Sequence, residues 1–297
     1  MRESETPEIV TPTFILGGAP KAGTTSLYHY LDQHPDVCMS ARKETGVFME
    51  NYDKGLEWLS ETYYQHYDGE SAVGEGSAGV LRLPECAERI HDALPSVKLI
   101  FLLRDPVERL HSHFSFLQGV RSIDESLSFE AFIRSDHHLR DNLIDQGFYH
   151  KHLTRFESYF GRDQILILLF KDLGSDTAAT VRRVYEFVGV DPTFDPDLDV
   201  HNRTREPHFE TVYHILNEIW RAIRSHLNVY VINQTSRFRR MLKNLVTETA
   251  DRESLSPEDQ AYLADIYDDS NDKLEEWLDQ DLSHWSRSSD LPVSASL

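Results

Sequence analysis

The chain has 297 residues, 40% of them hydrophobic, and a formal net charge of −20 at pH 7. That length suits one large α/β domain with a sizeable core, and the charge opposes any broad surface for duplex nucleic acid, because phosphate attraction needs cationic side chains. Cys38 and Cys86, the two cysteines, lack the spacing of a zinc site and the density of a disulfide scaffold.

No stretch approaches the ~20 apolar residues of a membrane-spanning helix. The N-terminal sequence MRESETPEIVTP is acidic and lacks the basic-then-apolar order of a signal peptide. The expectation is a soluble, cytoplasmic protein. Its 22 arginines against 8 lysines, with abundant Asp and Glu, resemble the composition of salt-adapted proteomes. Concentrated salt there screens the self-repulsion of a large net charge.

In chain order, residues 1–12 read as a short extension. Thr13–Leu16 reads as a strand and Thr24–Gln33 as a helix, stopped by His34-Pro35. Residues 40–80 are mixed and aromatic. Pro84–Leu94 reads as a helix. Val97–Leu103 is a near-continuous apolar run, as in a parallel strand buried on both faces.

Further helices are expected over Val107–Leu117, Ser128–Asp136 and Tyr149–Phe160. A strand is expected over Gln164–Phe170, then a helix over Asp176–Val188 closed by Gly189. From about Pro207 the chain reads as polar and helical, including Pro257–Leu278, and 287–297 as a disordered tail. Strands alternating with helices predict an α/β fold with a central, mostly parallel sheet flanked by helices, a single domain over 13–286.

Two segments carry chemistry. The first, FILGGAPKAGTTSLYHYL, puts a glycine-bearing loop between a strand and a helix, an arrangement that presents backbone N–H groups to an anion. Gly18 and Gly23 have the GxxxxG spacing of a triphosphate loop, but Thr24 stands where that loop has its lysine, and Lys21 lies inside the loop instead. The second segment, LLRDPVERLHSHF, places Arg104 at the carboxyl end of a buried strand and Ser112 on the helix that follows. Ligands of open α/β sheets bind at such strand ends, and an arginine there can grip a phosphate through its planar fork. The alternative for Arg104 is an ion pair with a nearby acid.

Together these segments resemble the sulfotransferases that use 3′-phosphoadenosine 5′-phosphosulfate (PAPS). PKAGTTSLYHYLDQHP is similar to their 5′-phosphosulfate motif and LIFLLRDPVERLHSHF to their 3′-phosphate motif. The likeness continues through GFYHKHLTRFESYFGRDQILILLFKDL and LSPEDQAYLADIYDDSNDKLEEWL. The pattern resembles bacterial and archaeal enzymes related to the heparan sulfate sulfotransferases.

The resemblance implies a P-loop-like three-layer sandwich. It implies binding of the 5′-phosphosulfate by Lys21, Ala22, Gly23, Thr24, Thr25 and Ser26, and of the 3′ phosphate by Arg104 and Ser112. No metal is required. Lys21 is implied to sit at the leaving oxygen. Within SARKETGVF it implies Glu44 as catalytic base, with Lys43 beside it. His34, His66, His111 and His113 are rival bases.

The implied reaction yields a sulfated acceptor, with a hydroxyl on a glycan or glycolipid as the expected target and an amine as the less favoured one, and adenosine 3′,5′-bisphosphate. A lipid acceptor would bring peripheral membrane contact. A P-loop kinase or NTPase and a non-catalytic nucleotide-binding module are the alternatives. Two family features are altered. The Glu-Lys-Ser/Thr element reads Glu75-Gly76-Ser77, without its lysine, and the late glycine- and lysine-bearing loop has only the basic cluster Arg237–Lys243 in its place.

If the acidic composition is an adaptation to salt, the midpoint of thermal unfolding should rise by several degrees between low salt and multimolar KCl. An unchanged or lower midpoint would contradict it.

Overall fold

The computed structural model describes residues 9–198, 205–207, 247–249 and 255–285. The first eight residues, the cluster Arg237–Lys243 and the tail 287–297 lie outside the described residues. The elements run β1 (Phe14–Gly18), α1 (Thr24–Leu31), β2 (Val37–Met39), α2 (Gly55–Tyr63), β3 (Ala72–Gly76), α3 (Cys86–Ala93), β4 (Lys98–Leu103) and α4 (Pro106–Gly119). They continue with α5 (Phe129–Arg134), α6 (Arg140–Asp145), α7 (Tyr149–Glu157), β5 (Ile165–Leu169), α8 (Phe170–Ser175) and α9 (Thr177–Val188). A short antiparallel pair, β6 (Arg205–Pro207) and β7 (Thr247–Thr249), precedes α10 (Pro257–Leu278).

The chain divides into two compact units, Met1–Leu103 with Tyr159–Asp251, and Arg104–Ser158 with Arg252–Leu297. The first unit holds a five-stranded sheet in the order β2-β3-β1-β4-β5, with every neighbouring pair parallel. This is the parallel α/β architecture expected from the alternation of strands and helices. The order turns back at β1, with β3 on one side and β4 on the other, so the carboxyl end of β1 is the switch point of an open sheet.

β4 and β5 form where the sequence is most apolar, and Leu99 through Leu103 are all fully buried. Lys98, at the start of β4, leads its amine out of the core to donate to Phe187 O at 2.6 Å. On α9, the Tyr185 hydroxyl donates to Tyr30 O at the end of α1, 3.0 Å away, and Gly189 closes α9 in the left-handed conformation.

β3 lies inside the stretch that reads only as mixed, and β2 just before it is a strand that the sequence reading did not include. β3, Ala-Val-Gly-Glu-Gly, is fully buried although it has two glycines and a carboxylate. Neighbouring side chains fill the space above the glycines. A Cβ on Gly74 would run into the Phe14 ring and the Met39 sulfur, and one on Gly76 would lie 2.7 Å from the Tyr28 ring. Glycine in a strand marks such a close approach. The bulk that makes β3 a core strand thus comes from β1, β2 and α1.

The second unit is helical. Its core gathers Leu110 and Phe114 of α4, Phe132 of α5, Leu143 of α6, and Leu263 and Tyr267 of α10. Asp105 caps α4, accepting from the N–H groups of Val107 (2.8 Å) and Glu108 (3.1 Å), with Pro106 at the first helical position. Ser256 caps α10 by accepting from Asp259 N at 3.1 Å. α10 spans the expected range. α1, α3, α4, α5, α7 and α9 differ from expectation by a few residues at their ends, where capping decides, whereas α2, α6 and α8 are helices that the sequence reading did not include.

Gly74→Val forces a branched side chain against Phe14 and Met39. It should destabilise the fold by about 1–3 kcal/mol or more, read from urea denaturation. An unchanged midpoint would mean that the strand does not depend on this close packing.

Candidate active site

Within the first unit, the loop from Gly18 to Gly23 leaves the switch point of the sheet. Ala19 N donates to Leu102 O at 2.8 Å, which ties the loop to β4. Lys21 and Gly23 both adopt the left-handed conformation, at φ 68° and 92°. Gly23 serves as the N-cap of α1, and its α-carbon faces the Phe170 ring, 2.9 Å from where a Cβ would stand. No acidic side chain lies in the first turn of α1. The N–H groups of that turn therefore add to the positive end of the helix dipole without a local carboxylate to oppose an incoming anion.

The expected ligands divide within this loop. The N–H of Ala22 already donates to Ala19 O at 3.2 Å, closing the turn, and the N–H of Ser26 donates to Gly23 O at 3.0 Å. Thr24 and Ser26 are buried, whereas Lys21, Gly23 and Thr25 are half-buried. The amides at the start of α1 and the threonine side chains are the better-placed anion donors.

Glu44 belongs to the same unit and is itself left-handed at φ 63°. A non-glycine residue in that region persists where its surroundings hold it, and here several contacts do. Its N–H donates to Gly76 O at 2.7 Å, its Oε2 accepts from Ala78 N at 3.1 Å, and its Oε1 pairs with the Lys43 amine. The side chain remains 46% exposed, so the carboxylate is held from behind and open in front. The turn that holds it also backs the loop, since a Cβ on Gly18 would lie 3.0 Å from Ala78 O. Residues 76–78 thus brace both the start of the loop and the Glu44 carboxylate.

Gly76 also explains how Lys43 fits. The stem of Lys43 passes over Gly76, with Cγ 3.4 Å from where a Cβ would be. The residue before Gly76 is Glu75, which the sequence shows only as part of the altered Glu-Gly-Ser element. It is fully buried, and its Oε1 accepts from the hydroxyls of Thr45 (2.7 Å) and Ser77 (2.6 Å). Burial dominates and raises its carboxyl above the ordinary 4.5. The two hydroxyls oppose that shift, Glu44 adds to it and Lys43 lessens it. A lone acid in a glycine-bearing strand was the available signal.

Of the rival bases, His34 is buried, accepting from Asp36 N at 3.0 Å and donating to Asp191 O at 3.0 Å. His66 has Met39 O at 3.0 Å and the Cys38 sulfur at 3.5 Å. These contacts give both rings structural work. Cys38 and Cys86 are free, buried thiols, each pushed up to about 12 by burial.

Arg104 and Ser112 belong to the second unit. Arg104 is largely buried, and its Nε and Nη2 donate to Glu108 Oε2 at 3.1 and 3.0 Å, so the ion pair with a nearby acid is present. Glu108 is exposed, and such a pair holds the guanidinium for little energy, about 0–1 kcal/mol. The Tyr149 hydroxyl fixes the backbone by donating to Arg104 O at 2.8 Å. Ser112 is buried on α4. In this unit His111 packs against Phe129, with ring centroids 4.8 Å apart, and His113 lies 6.4 Å from Phe116. Arg109, without an assigned role, is fully buried and donates through Nη2 to Leu143 O.

Comparison with known proteins gives these residues a family. The sequence profile of the sulfotransferase domain matches residues 11–275. The chain is 35% identical over 131 residues to the membrane-associated sulfotransferase kil1 of Dictyostelium discoideum, covering 42% of this chain and 28% of that protein. It is 31% identical over 182 residues to human heparan sulfate glucosamine 3-O-sulfotransferase 3B1, covering 60% and 46%.

It is also 30% identical over 212 residues to the mouse bifunctional heparan sulfate N-deacetylase/N-sulfotransferase 4, covering 62% and 24%. The matches thus span between about a quarter and a half of these relatives. A sulfotransferase from Alicyclobacillus acidocaldarius shares the fold, with a TM-score of 0.69 at 24% identity over 93% of this chain and 99% of that one. No helix among the described residues is long and apolar enough to cross a membrane. With its profile match running from before β1 into α10, the chain belongs to the sulfotransferase domain family.

Proposed function

We propose that this chain transfers a sulfuryl group from PAPS to an acceptor hydroxyl, with Glu44 as general base. The observation that carries the reading is the bracing of two groups on one turn. Residues 76–78 support both the anion-binding loop and a half-exposed carboxylate held by Ala78 N–H and Lys43.

The N–H groups at the start of α1, with Thr24, Thr25 and Ser26, would hold the 5′-phosphosulfate. Arg104 and Ser112 would take the 3′ phosphate. In the reaction the acceptor oxygen forms a bond to sulfur while the bond from sulfur to the bridging phosphate oxygen breaks. The hydroxyl proton passes to Glu44, and adenosine 3′,5′-bisphosphate leaves. Lys21 would stand where the leaving oxygen gains charge, a kind of stabilisation worth roughly 3–4 kcal/mol for one well-placed donor. A carboxylate is a suitable proton acceptor when it lies within hydrogen-bond reach of the alcohol.

For the acceptor we propose a glycan or glycolipid. Two of the relatives are named for heparan sulfate, a glycan. Of the aromatics from Phe48 to Tyr67, Phe48, Tyr63 and Tyr64 are buried, which leaves the half-buried Tyr52 and Trp58 and the exposed Tyr67 as the rings that could meet a sugar.

Glu44→Gln keeps the shape and removes the base. It should lower kcat for transfer by about 10²–10⁴-fold while leaving the affinity for adenosine 3′,5′-bisphosphate, measured by titration calorimetry, unchanged. Full activity in that variant would overturn the assignment of the base.

Arg104→Ala should weaken adenosine 3′,5′-bisphosphate by about 10–100-fold, the loss of a charged hydrogen bond. Adenosine 5′-monophosphate, which has no 3′ phosphate, should be bound as before. Equal loss for both nucleotides would show that Arg104 does not read the 3′ phosphate.

A further inference from the structure

We propose that Glu75 is a positioning residue for Glu44, its carboxyl clipping together, through the hydroxyls of Thr45 and Ser77, the two backbone segments that hold the Glu44 carboxylate. The inference rests on the reading of Glu44 as base and concerns how that base is kept in place.

The geometry is compact. Thr45 follows Glu44 directly, and Ser77 directly precedes Ala78, whose N–H holds Glu44 Oε2 at 3.1 Å. Both hydroxyls donate to the same oxygen, Glu75 Oε1, at 2.7 and 2.6 Å. The second hydroxyl lone pair of Thr45 accepts from Val47 N at 3.3 Å, and Asn51 Nδ2 donates to Thr45 O at 2.7 Å. The segment carrying Glu44 is therefore fastened at Thr45 through side chain and backbone, and at the Glu44 N–H by Gly76 O at 2.7 Å. This fastening offsets the cost of its left-handed backbone, of order 1–3 kcal/mol for a non-glycine residue.

Glu75 is suited to the task as an uncharged acid. It is fully buried, and its Oε2 has no hydrogen-bond partner among the described residues. A buried carboxylate without a paired cation tends to keep its proton. The groups around it agree. Glu44 and Lys43 lie on the loop after β2, Tyr28 on α1, Tyr63 and Tyr64 at the end of α2, and Cys86 on α3. Burial raises all three tyrosines above 10, and Cys86 to about 12, so they stay neutral. Lys43, the one cation among them, is paired with Glu44. As an acid, Glu75 accepts both hydroxyls without adding a second negative charge beside the base.

Three variants test the proposal in the full chain. Glu75→Val removes the clip and should lower kcat by about 10–100-fold, as expected for a small displacement of a reacting group, with the affinity for adenosine 3′,5′-bisphosphate retained. Glu75→Gln keeps an acceptor oxygen for both hydroxyls and should restore most of that loss. The double variant Thr45→Val/Ser77→Ala cuts the clip from its other side and should match Glu75→Val, which covers the case in which Glu75→Val fails to fold.

Stability gives an independent readout. A carboxyl raised in the folded state keeps its proton after the unfolded chain has lost it. Wild-type stability relative to Glu75→Gln should therefore fall as pH rises above about 4.5, levelling off once the folded carboxyl ionises.

Wild-type kcat in Glu75→Val, with Glu44→Gln inactive, would overturn the clip and leave the base intact. A folded Glu75→Gln as slow as Glu75→Val would show that the ionisable carboxyl itself is needed, and would also overturn it. An active Glu44→Gln would remove the base on which the proposal stands.

Discussion

The short turn that begins on the last residue of β3, residues 76–78, is the constraint on which the proposed site depends. Its carbonyl at Gly76 accepts the N–H of Glu44, its N–H at Ala78 holds the Glu44 carboxylate, and its carbonyl at Ala78 lies behind Gly18 at the start of the anion loop. The turn can do this because β3 is the direct neighbour of β1 in a parallel sheet, with Ile15 in register with Glu75 and Leu16 with Gly76. The carboxyl ends of the two strands therefore release their loops side by side. The architecture brings a loop at a helix start and a carboxylate onto one support, and the proposed chemistry rests on that placement.

Electrostatics sets the second condition. On the proposed reading, a chain with a net charge of −20 takes up a highly negative donor. Long-range attraction cannot help it, so affinity has to come from donors aimed at short range, such as N–H groups at a helix start and the fork of an arginine. The first turn of α1 has no acidic side chain, and Lys21 lies inside the loop. A third provision would act on Glu44, the base we propose. If Glu75 holds its proton, two acidic side chains can lie close together while only the outer one carries charge.

Much of the fold can be read from the residues because the strands that dominate it are chemically plain. Lys98–Leu103 and Ile165–Leu169 are near-continuous apolar runs, and these become the adjacent strands β4 and β5. The loop between Gly18 and Gly23 is equally legible, since glycine spacing reports a local backbone need that φ 92° at Gly23 meets. β3 was not legible. Its glycines and buried acid argue against a core strand, and the side chains of Phe14, Tyr28 and Met39, remote in sequence, make it one. Likewise the pairing of Glu44 with Ala78 spans 34 residues and leaves no periodic trace. The role proposed for Glu75 is hidden for the same reason, because it arises from what the sheet brings to a residue that the sequence shows only within an altered family element.

The central claim is sulfuryl transfer from PAPS, and the most direct test is to follow label from sulfur-labelled PAPS into a panel of desulfated glycans and glycolipids without added magnesium. The account predicts that label appears in an acceptor in step with release of adenosine 3′,5′-bisphosphate, one for one. Absence of label in every acceptor, together with magnesium-dependent phosphate release from ATP, would contradict it.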